Sequence, residues 1–509
     1  MKKYLHILLI IVCSKLNAQT PDDALRNAWH IGNGTARNIG AGGVMASLGG
    51  DLSAAQINPA GLAFYRTNEF ALSPSFLLQS NRFGYRGTDS LNNKNIFNYG
   101  TSGFVISSQK MNNKKWLNNA FALTVSQLAS FNNNIQFKGF NNASSFSEQY
   151  IEELVNDGAD TTAALSNYIF GSSLAFRTYL IDTISGPGGV LRGYQSLVPI
   201  NSGVNQVFSS NNRGGFHEIN LAFASNYMDK WYLGVGLNIP IIHFSKDVYY
   251  KESDATNNTN NNFSFFEYKE NFTSNGVGVG LKLGAIYKPA TYWRVGFTFH
   301  TPQFISFKDR VRSEMTTNTE SYAGTITESS DALNSGNPGY RDYTLTTPWR
   351  AIASASYVFR EVSNTKKQRA FLSADIEYVN YRGARFSKTD EEGNAIDGYY
   401  DALNTATKNY LRGNFNIKLG GEIKFDPIMF RAGIGYFGSP YKNDNLDANR
   451  FTLSAGIGYR NKGMFIDVAV VQQTLQDAQF AYRLIDKPNT FAQQRTILTN
   501  IVATLGFKF

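Results

Sequence analysis

Residues 120–138 read AFALTVSQLASFNNNIQFK, and the alternation in this stretch decides the fold. One phase holds Phe121, Leu123, Val125, Gln127, Ala129, Phe131, Asn133, Ile135 and Phe137; the other holds Ala120, Ala122, Thr124, Ser126, Leu128, Ser130, Asn132, Asn134, Gln136 and Lys138. A period of two places these sets on opposite faces of a β-strand, one suited to lipid and the other to water. The pattern recurs at 231–241, where Trp231, Leu233, Val235, Leu237, Ile239 and Ile241 oppose Tyr232, Gly234, Gly236 and Asn238. From Gly276, Val277, Val279, Leu281 and Leu283 alternate with Gly278, Gly280, Lys282 and Gly284.

Working outward, about fourteen such strands run from near Asn68 to Phe509, each longer than the roughly 10 residues a strand needs to cross a bilayer. An even number of antiparallel strands closes into a barrel, and closure removes the edges that lipid cannot hydrogen-bond. The connections alternate in length as such a barrel requires. Those near 111–117, 228–230, 288–291, 361–367, Asp426-Pro427 and 460–463 are short; those at 139–213, 313–340, 389–408 and 474–493 are long. The expected fold is all-β, a transmembrane antiparallel barrel spanning 68–509. Its last strand puts Ile501, Ala503, Leu505, Phe507 and Phe509 in one phase, and a terminal aromatic of this kind resembles the signal read by the barrel-assembly machinery.

The composition agrees. A chain of 509 residues with 38 Phe, 28 Tyr, 45 Gly and only 17% charged residues suits strands between lipid and a polar lumen. The mean hydropathy of −0.29 does not contradict this, because lipid-facing residues are only every second one. Lys2 and Lys3, the apolar run Tyr4–Cys13 and the polar stretch to Ala18 have the order of a secretory signal peptide, residues 1–18. Val12 before Cys13 disfavours acylation of that cysteine, and removal of the leader leaves no thiol for disulfides, metal sites or nucleophilic catalysis. The net charge of +9 is spread singly or in pairs such as Lys114-Lys115 and Lys366-Lys367, so nucleic acid is not an expected partner.

Residues 19–67 do not alternate. They carry Gly32, Gly34, Gly40, Gly42, Gly43, Gly49, Gly50 and Gly61 among small residues, and so short a segment needs a cavity to sit in. It contains Gly34-Thr35-Ala36-Arg37, Gly40-Ala41-Gly42-Gly43, Asp51 and Asn58-Pro59-Ala60-Gly61-Leu62-Ala63. In these residues the chain resembles the FadL-type (OmpP1/FadL/TodX) outer-membrane transporters of hydrophobic compounds, whose hatch signature is the Asn-Pro-Ala triplet, here Asn58, Pro59 and Ala60. Detailed similarity covers residues 34–70; the remainder matches in strand count and layout.

The resemblance implies a barrel in the outer membrane of a Gram-negative cell, both termini periplasmic, its lumen closed by the N-terminal hatch. It further implies ligand captured in an outer groove, passed to an inner pocket and released sideways into the membrane through a kinked third strand, without an energy source or cofactor. Implied partners are a hydrophobic small molecule, fatty-acid-like or aromatic, outer-membrane lipid and, during insertion, the assembly machinery; the chain acts as a monomer or as a subunit of a membrane complex. The third strand falters on its lipid face at Gln127 and Asn133, which marks either such an opening or polar residues near the interface. Independently of the family, Pro59 biases Asn58 towards extended geometry while the Asn side chain can serve the backbone of a turn.

In the longest external loop, Ser145-Phe146-Ser147-Glu148 has capping-box spacing, and Phe146, Tyr150, Ile151 and Leu154 follow at helical intervals. Such a helix either caps the barrel mouth or offers ligand an apolar landing site. Signals for other chemistry fail on context. Gly433-Ile434-Gly435-Tyr436-Phe437-Gly438 matches a dinucleotide pattern but lies in a strand and precedes no helix. Asp375 and Glu377 face the lumen beside Lys418, Glu422, Lys424 and Arg431, which reads as a cross-strand charge ladder rather than as catalysis. His30, His217, His243 and His300 lack metal-ligand spacing, so no catalytic residue and no metal site is expected. Passive transport of hydrophobic molecules is the leading expectation; a barrel subunit of a secretion or assembly machine is the alternative, and a general porin the third.

Overall fold

The computed structural model describes residues 20–30, 32–109, 115–256, 258–360, 369–389, 396–444 and 448–509. The signal-peptide expectation for 1–18, with Cys13, and the turn residues Lys114, Lys366 and Lys367 fall outside the described residues.

Fourteen antiparallel strands form the wall, several of them in two parts. They are β1 (Glu69–Leu72 and Pro74–Tyr85), β2 (Thr88–Tyr99 and Ser102–Gln109), β3 (Trp116–Ser130 and Asn133–Asn141), β4 (Val204–Tyr227) and β5 (Trp231–Asp254). Next come β6 (Phe265–Ala290), β7 (Trp293–His300 and Phe304–Asn318), β8 (Gly339–Thr346 and Arg350–Phe359), β9 (Ala370–Asn380 and Arg385–Ser387) and β10 (Gly413–Phe425). The last are β11 (Ile428–Phe437), β12 (Arg450–Asn461), β13 (Met464–Gln479) and β14 (Ala492–Lys508). Each pairs with its sequence neighbours, and β1 closes the circle on β14 through Phe70↔Phe507 and Phe76↔Ile501. Among the described residues no helix is long and apolar enough to cross a membrane; the crossing elements are strands.

The period-two reading holds around the wall. Leu233, Val235, Val277, Val279, Leu281, Leu283, Phe297, Ile376, Ile417, Ile434, Ile457, Val470 and Ile501 all point outward and are exposed, while their neighbours point in. At the short-turn end this apolar band finishes in ring pairs: Trp116 with Tyr227 at 4.9 Å, Trp231 with Tyr287 at 4.4 Å and Trp293 with Tyr357 at 5.1 Å. Such rings suit a membrane–water boundary.

Three expectations need correction. In β3 the phase does not continue to Phe137: Phe121 and Val125 face out, but Ile135 and Phe137 are buried and Gln136 and Lys138 are exposed. A bulge between Gln127 and Ala129, followed by the break between the two parts of β3, inverts the faces, because one extra residue moves every following side chain across the sheet. Gln127 and Asn133 are therefore not on the lipid face. The long connection read at 139–213 is shorter, running from 142 to 203, since β3 and β4 extend beyond the membrane; it holds three helices, Glu148–Asn156, Thr161–Ser166 and Ser172–Arg177.

The two ends of the chain also differ in place. Phe509 lies at the short-turn end, where Asn68 N donates to its carbonyl at 3.0 Å. Residues 20–30 lie at the opposite end. Helix α1 (Pro21–Arg26) meets the helix Asp401–Tyr410 in the connection between β9 and β10. Asp22 pairs with Arg483 in the connection between β13 and β14, at 2.9 Å. From Glu69 backwards the described chain thus climbs the lumen from the short-turn end to the long-loop end.

The lipid-facing band predicts a depth-dependent cost. Leu281→Lys, whose side chain faces out opposite Leu237, should lower stability by roughly 2–4 kcal/mol in reversible unfolding from phospholipid vesicles. Asn275→Lys, on the same face beyond the apolar band, should leave the midpoint unchanged.

Candidate functional site

The lumen is filled by residues 32–65, and the wall is shaped to receive their backbone. Inward-facing glycines form the seats. A Cβ at Gly234 would fall on Pro59-Ala60, at Gly284 on Asn58, at Gly296 on Ala46, at Gly420 on Ala41 and at Gly433 on Gly42. Within the glycine-rich stretch at 433–438, Gly433 is thus explained by backbone-to-backbone packing, which any side chain would prevent. On the luminal side Gly42 and Gly43 sit at φ of 78° and 76°, closing the turn after α2 (Ala36–Gly40). The N-cap of α2 is Thr35, whose hydroxyl accepts from Asn38 N and donates to Asp51 at 2.8 Å; Ala36 N reaches Thr504 on β14 at 2.7 Å.

The triplet sits at the base of this segment. Asn58 is fully buried with extended backbone, at φ −141° and ψ 101°. Its carboxamide oxygen accepts from Ala60 N at 3.1 Å and its nitrogen donates to Ala46 O at 2.6 Å. Pro59 begins a short 3-10 turn to Phe64, whose ring stacks on Tyr232 at 3.9 Å and lies under Arg294 at 4.4 Å.

A buried charge network joins segment to wall. Arg431 donates to Glu422 at 2.6 Å and pairs with Asp467 at 2.7 Å; Arg37 joins from the lumen with its Nε 3.4 Å from the same Glu422 oxygen and its Nη1 on Gly50 O at 2.9 Å. Burial opposes the Arg37 charge, but Glu422, Asp51 and Asp467 outweigh it and raise its pKa above the ordinary value. Asp375 accepts from Ser354 at 2.6 Å, and Glu377 pairs with Arg350 at 3.3 Å. The acids read as a ladder hold the wall, and Glu422 holds the luminal segment too. Arg37 was quoted in the sequence as part of Gly34-Thr35-Ala36-Arg37 but given no role there; a lone arginine among glycines and alanines is the signal that would have given it one.

Above the packed segment lies a cavity of about 170 Å³. Ile39, Ile57, Leu77, Leu128, Ile352 and Leu498 supply its apolar surface; Glu218, Lys282, His300, Arg350, Glu377 and Lys418 gather on the polar part. Lys282 is bonded to Glu218, so much of this charge is internally neutralised. Asn27, Ala28 and His30 line the cavity too, and the next residues back, in α1, pack against the long-loop elements.

Beside the cavity the wall is unlaced. β2 and β3 share a ladder only from Gln109↔Asn118 to Ser102↔Val125. Beyond it Thr88–Tyr99 pairs with β1 and Asn133–Asn141 with β4, and among the described residues no backbone pairing joins the two. Side chains span the interval: Lys94 donates to Asn134 at 3.0 Å, while Asn133 turns inward and accepts from Gln79 and Asn81 of β1, both at 2.8 Å. Gln127, buried, stands at the bulge where the ladder stops.

The external apolar stripe is covered. Phe146, Tyr150 and Leu154 are buried, Ile151 half-buried, against the inner wall of the barrel mouth. Phe146 stacks on Tyr250 at 4.5 Å and lies 5.3 Å from Tyr268. Glu252 anchors the loop by accepting from Ser145 Oγ at 2.5 Å and Phe146 N at 2.9 Å; Glu148 accepts from Ser145 N at 2.9 Å, but the helix is capped by Ser147 without a side-chain bond, so only half of the expected capping box forms. This packing is that of a cap over the mouth. The four histidines take separate partners: His30 meets the Phe216 ring, His217 Tyr99, His243 Asn275 and His300 the carbonyl of Ile57.

A family model described as outer membrane protein transport protein (OMPP1/FadL/TodX) matches residues 216–504, more than half of the chain. Three solved structures share the fold at low identity. A FadL homologue of Pseudomonas aeruginosa is 14% identical, with 95% of this chain and 99% of that one covered and a TM-score of 0.54. The Pseudomonas putida toluene transporter TodX is 12% identical, covering 94% and 99%, at 0.53. The Ralstonia pickettii toluene transporter TbuX is 14% identical, covering 94% and 98%, at 0.50. No curated protein matches the chain.

Gly433→Val should unseat residues 40–43 and raise ion conductance in planar bilayers while the barrel stays folded; unchanged conductance would count against the packing account. His30 supplies a pH test. Burial first, then Arg350, Lys282 and Arg450, hold its imidazole well below the ordinary value. A folded pKa below the free value of about 6.5 means the displaced state binds more protons at low pH, so seating is strongest above that pH and weakens as pH falls through it. Hydrogen exchange of residues 24–30 should rise on acidification, and His30→Phe should remove that dependence.

Proposed function

The chain belongs to the outer-membrane transport protein family (OMPP1/FadL/TodX), and on that basis we propose that it carries hydrophobic small molecules passively across the outer membrane and delivers them sideways into the bilayer. The family is one of transport proteins, not of enzymes, and its members are outer-membrane barrels. The observation that carries the lateral route is the unlaced interval between β2 and β3, which lies beside the cavity at Leu128, Ala129 and Ser130. A hydrophobic molecule gains by leaving a partly polar cavity for lipid, so the step needs no energy source.

We read residues 19–67 as the hatch that blocks the axial route, supported by the filling of the lumen by residues 32–65, with Asn58, Pro59 and Ala60 as its base. Gln127 and Asn133 both belong to the stretch of β3 that borders the opening, Gln127 at its lower end. The cavity favours small hydrophobic ligands of fatty-acid-like or aromatic type. The strand ending at Phe509 serves recognition by the barrel-assembly machinery, and the apolar band serves contact with outer-membrane lipid.

Protein purified in mild detergent should release hydrophobic small molecules on extraction, and cells lacking it should take them up more slowly; an empty lumen together with unchanged uptake would refute transport. Replacing Asn58 and Pro59 by alanine should lower uptake and raise ion conductance, because Asn58 then loses its bonds to Ala46 and Ala60.

A further inference from the structure

The lower end of the unlaced interval is held by a residue of the luminal segment. Asn33 is 5% exposed. Its carboxamide nitrogen donates to Tyr99 O at 2.8 Å and to Gln127 O at 2.7 Å, and its oxygen accepts from Gly34 N at 2.9 Å. Tyr99 is the last residue of the upper part of β2, and Gln127 stands at the bulge of β3. One amide group therefore joins the two strands at the level where their ladder ends, using both of its protons.

The surroundings make this more than an incidental contact. A Cβ at Gly100 would fall on the carbonyl of Gly34, so the luminal backbone lies directly against the break in β2. The phenol of Tyr99 reaches His217 Nδ1 on β4 at 2.8 Å, with the rings stacked 5.6 Å apart. His217 is in turn the cross-strand partner of Gln127. Gly32 and Asn33 line the cavity together with Leu128, Ala129 and Ser130, so a molecule entering the cavity touches the clasp and the wall beside it at once.

We propose that Asn33 is the positioning residue that couples the luminal segment to the wall: the interval between β2 and β3 stays shut while Asn33 bridges Tyr99 and Gln127, and it opens when a ligand displaces Gly32 and Asn33. This rests on the transport reading above. Buried carbonyls are costly to strip of a donor, so the wall follows the segment. Because the coupling is a free energy between two places, weakening either side must loosen the other.

The test uses the full chain in phospholipid vesicles, with spin labels on cysteines replacing Asn95 of β2 and Gln136 of β3, both outward-facing and exposed. Asn33→Asp keeps the size but sets an acceptor against two carbonyls; it should raise the ratio of long to short inter-label distances by about tenfold, the scale of one or two net hydrogen bonds. Hydrogen exchange at Gly34 should rise with it, while the Ser102–Gln109 ladder keeps its protection. Asn33→Leu removes the donors without charge and should act likewise. On the wall side, Tyr99→Phe should speed exchange at Gly34. Unchanged distances in both Asn33 variants, or wall opening with no change at Gly34, overturns the coupling; if neither variant folds, Asn33→Ser, too short to reach the carbonyls of both Tyr99 and Gln127, is read by the same inter-label distances, and unchanged distances there overturn it too. Uptake of radiolabelled dodecanoate by cells is measured alongside. Absence of uptake by the parent chain defeats the transport reading, while the distance and exchange results still decide the coupling.

Discussion

Lipid offers a peptide group nothing to hydrogen-bond, and the rest of the molecule follows from that constraint. Each wall strand must find two neighbours, so the sheet closes from β1 onto β14. Closing fourteen strands makes a barrel too wide for its own inward side chains to fill. Residues 32–65 supply the missing interior, as short turns and helices bonded to the wall rather than as a domain with its own core.

Where the constraint is relaxed, the luminal segment compensates. The upper parts of β2 and β3 give each other no backbone bonds, and at the foot of that interval Asn33 holds Tyr99 and Gln127. Elsewhere the same segment is packed tightly, on glycine seats and on the Arg37–Glu422–Arg431 network. Buried charges of this kind fix position more than they add stability, since removing one partner strands the others. The lumen is therefore locked around most of its circumference and lightly held at one seam.

The fold was largely legible in the sequence because lipid imposes a period of two that survives in Val277, Val279, Leu281 and Leu283 whatever they pack against. The candidate site was legible in part. Asn58-Pro59-Ala60 stood out because a proline and an adjacent amide restrict the backbone locally, and the capping-box spacing at Ser145–Glu148 is likewise local. The inversion at β3 was hidden: the bulge at Gln127 adds a residue without changing the apparent alternation, so Ile135 and Phe137 looked lipid-facing while they point inward. Nothing in the sequence pointed to the partners of Asn33 and Arg37, since those lie 66 to 94 and 385 residues away.

The sequence by itself determined that the chain is a membrane barrel with a non-strand segment before it, because alternation and connection length are properties of neighbours along the chain. Only the tertiary structure decided which strands fail to pair, which glycines receive the luminal backbone, that the apolar stripe of Phe146, Tyr150 and Leu154 is covered, and that residues 20–30 end at the long-loop side. Those outcomes depend on closure: once the circle is formed, the lumen sets residues from opposite ends of the chain within bonding distance, and no local rule in the sequence encodes which of them will meet.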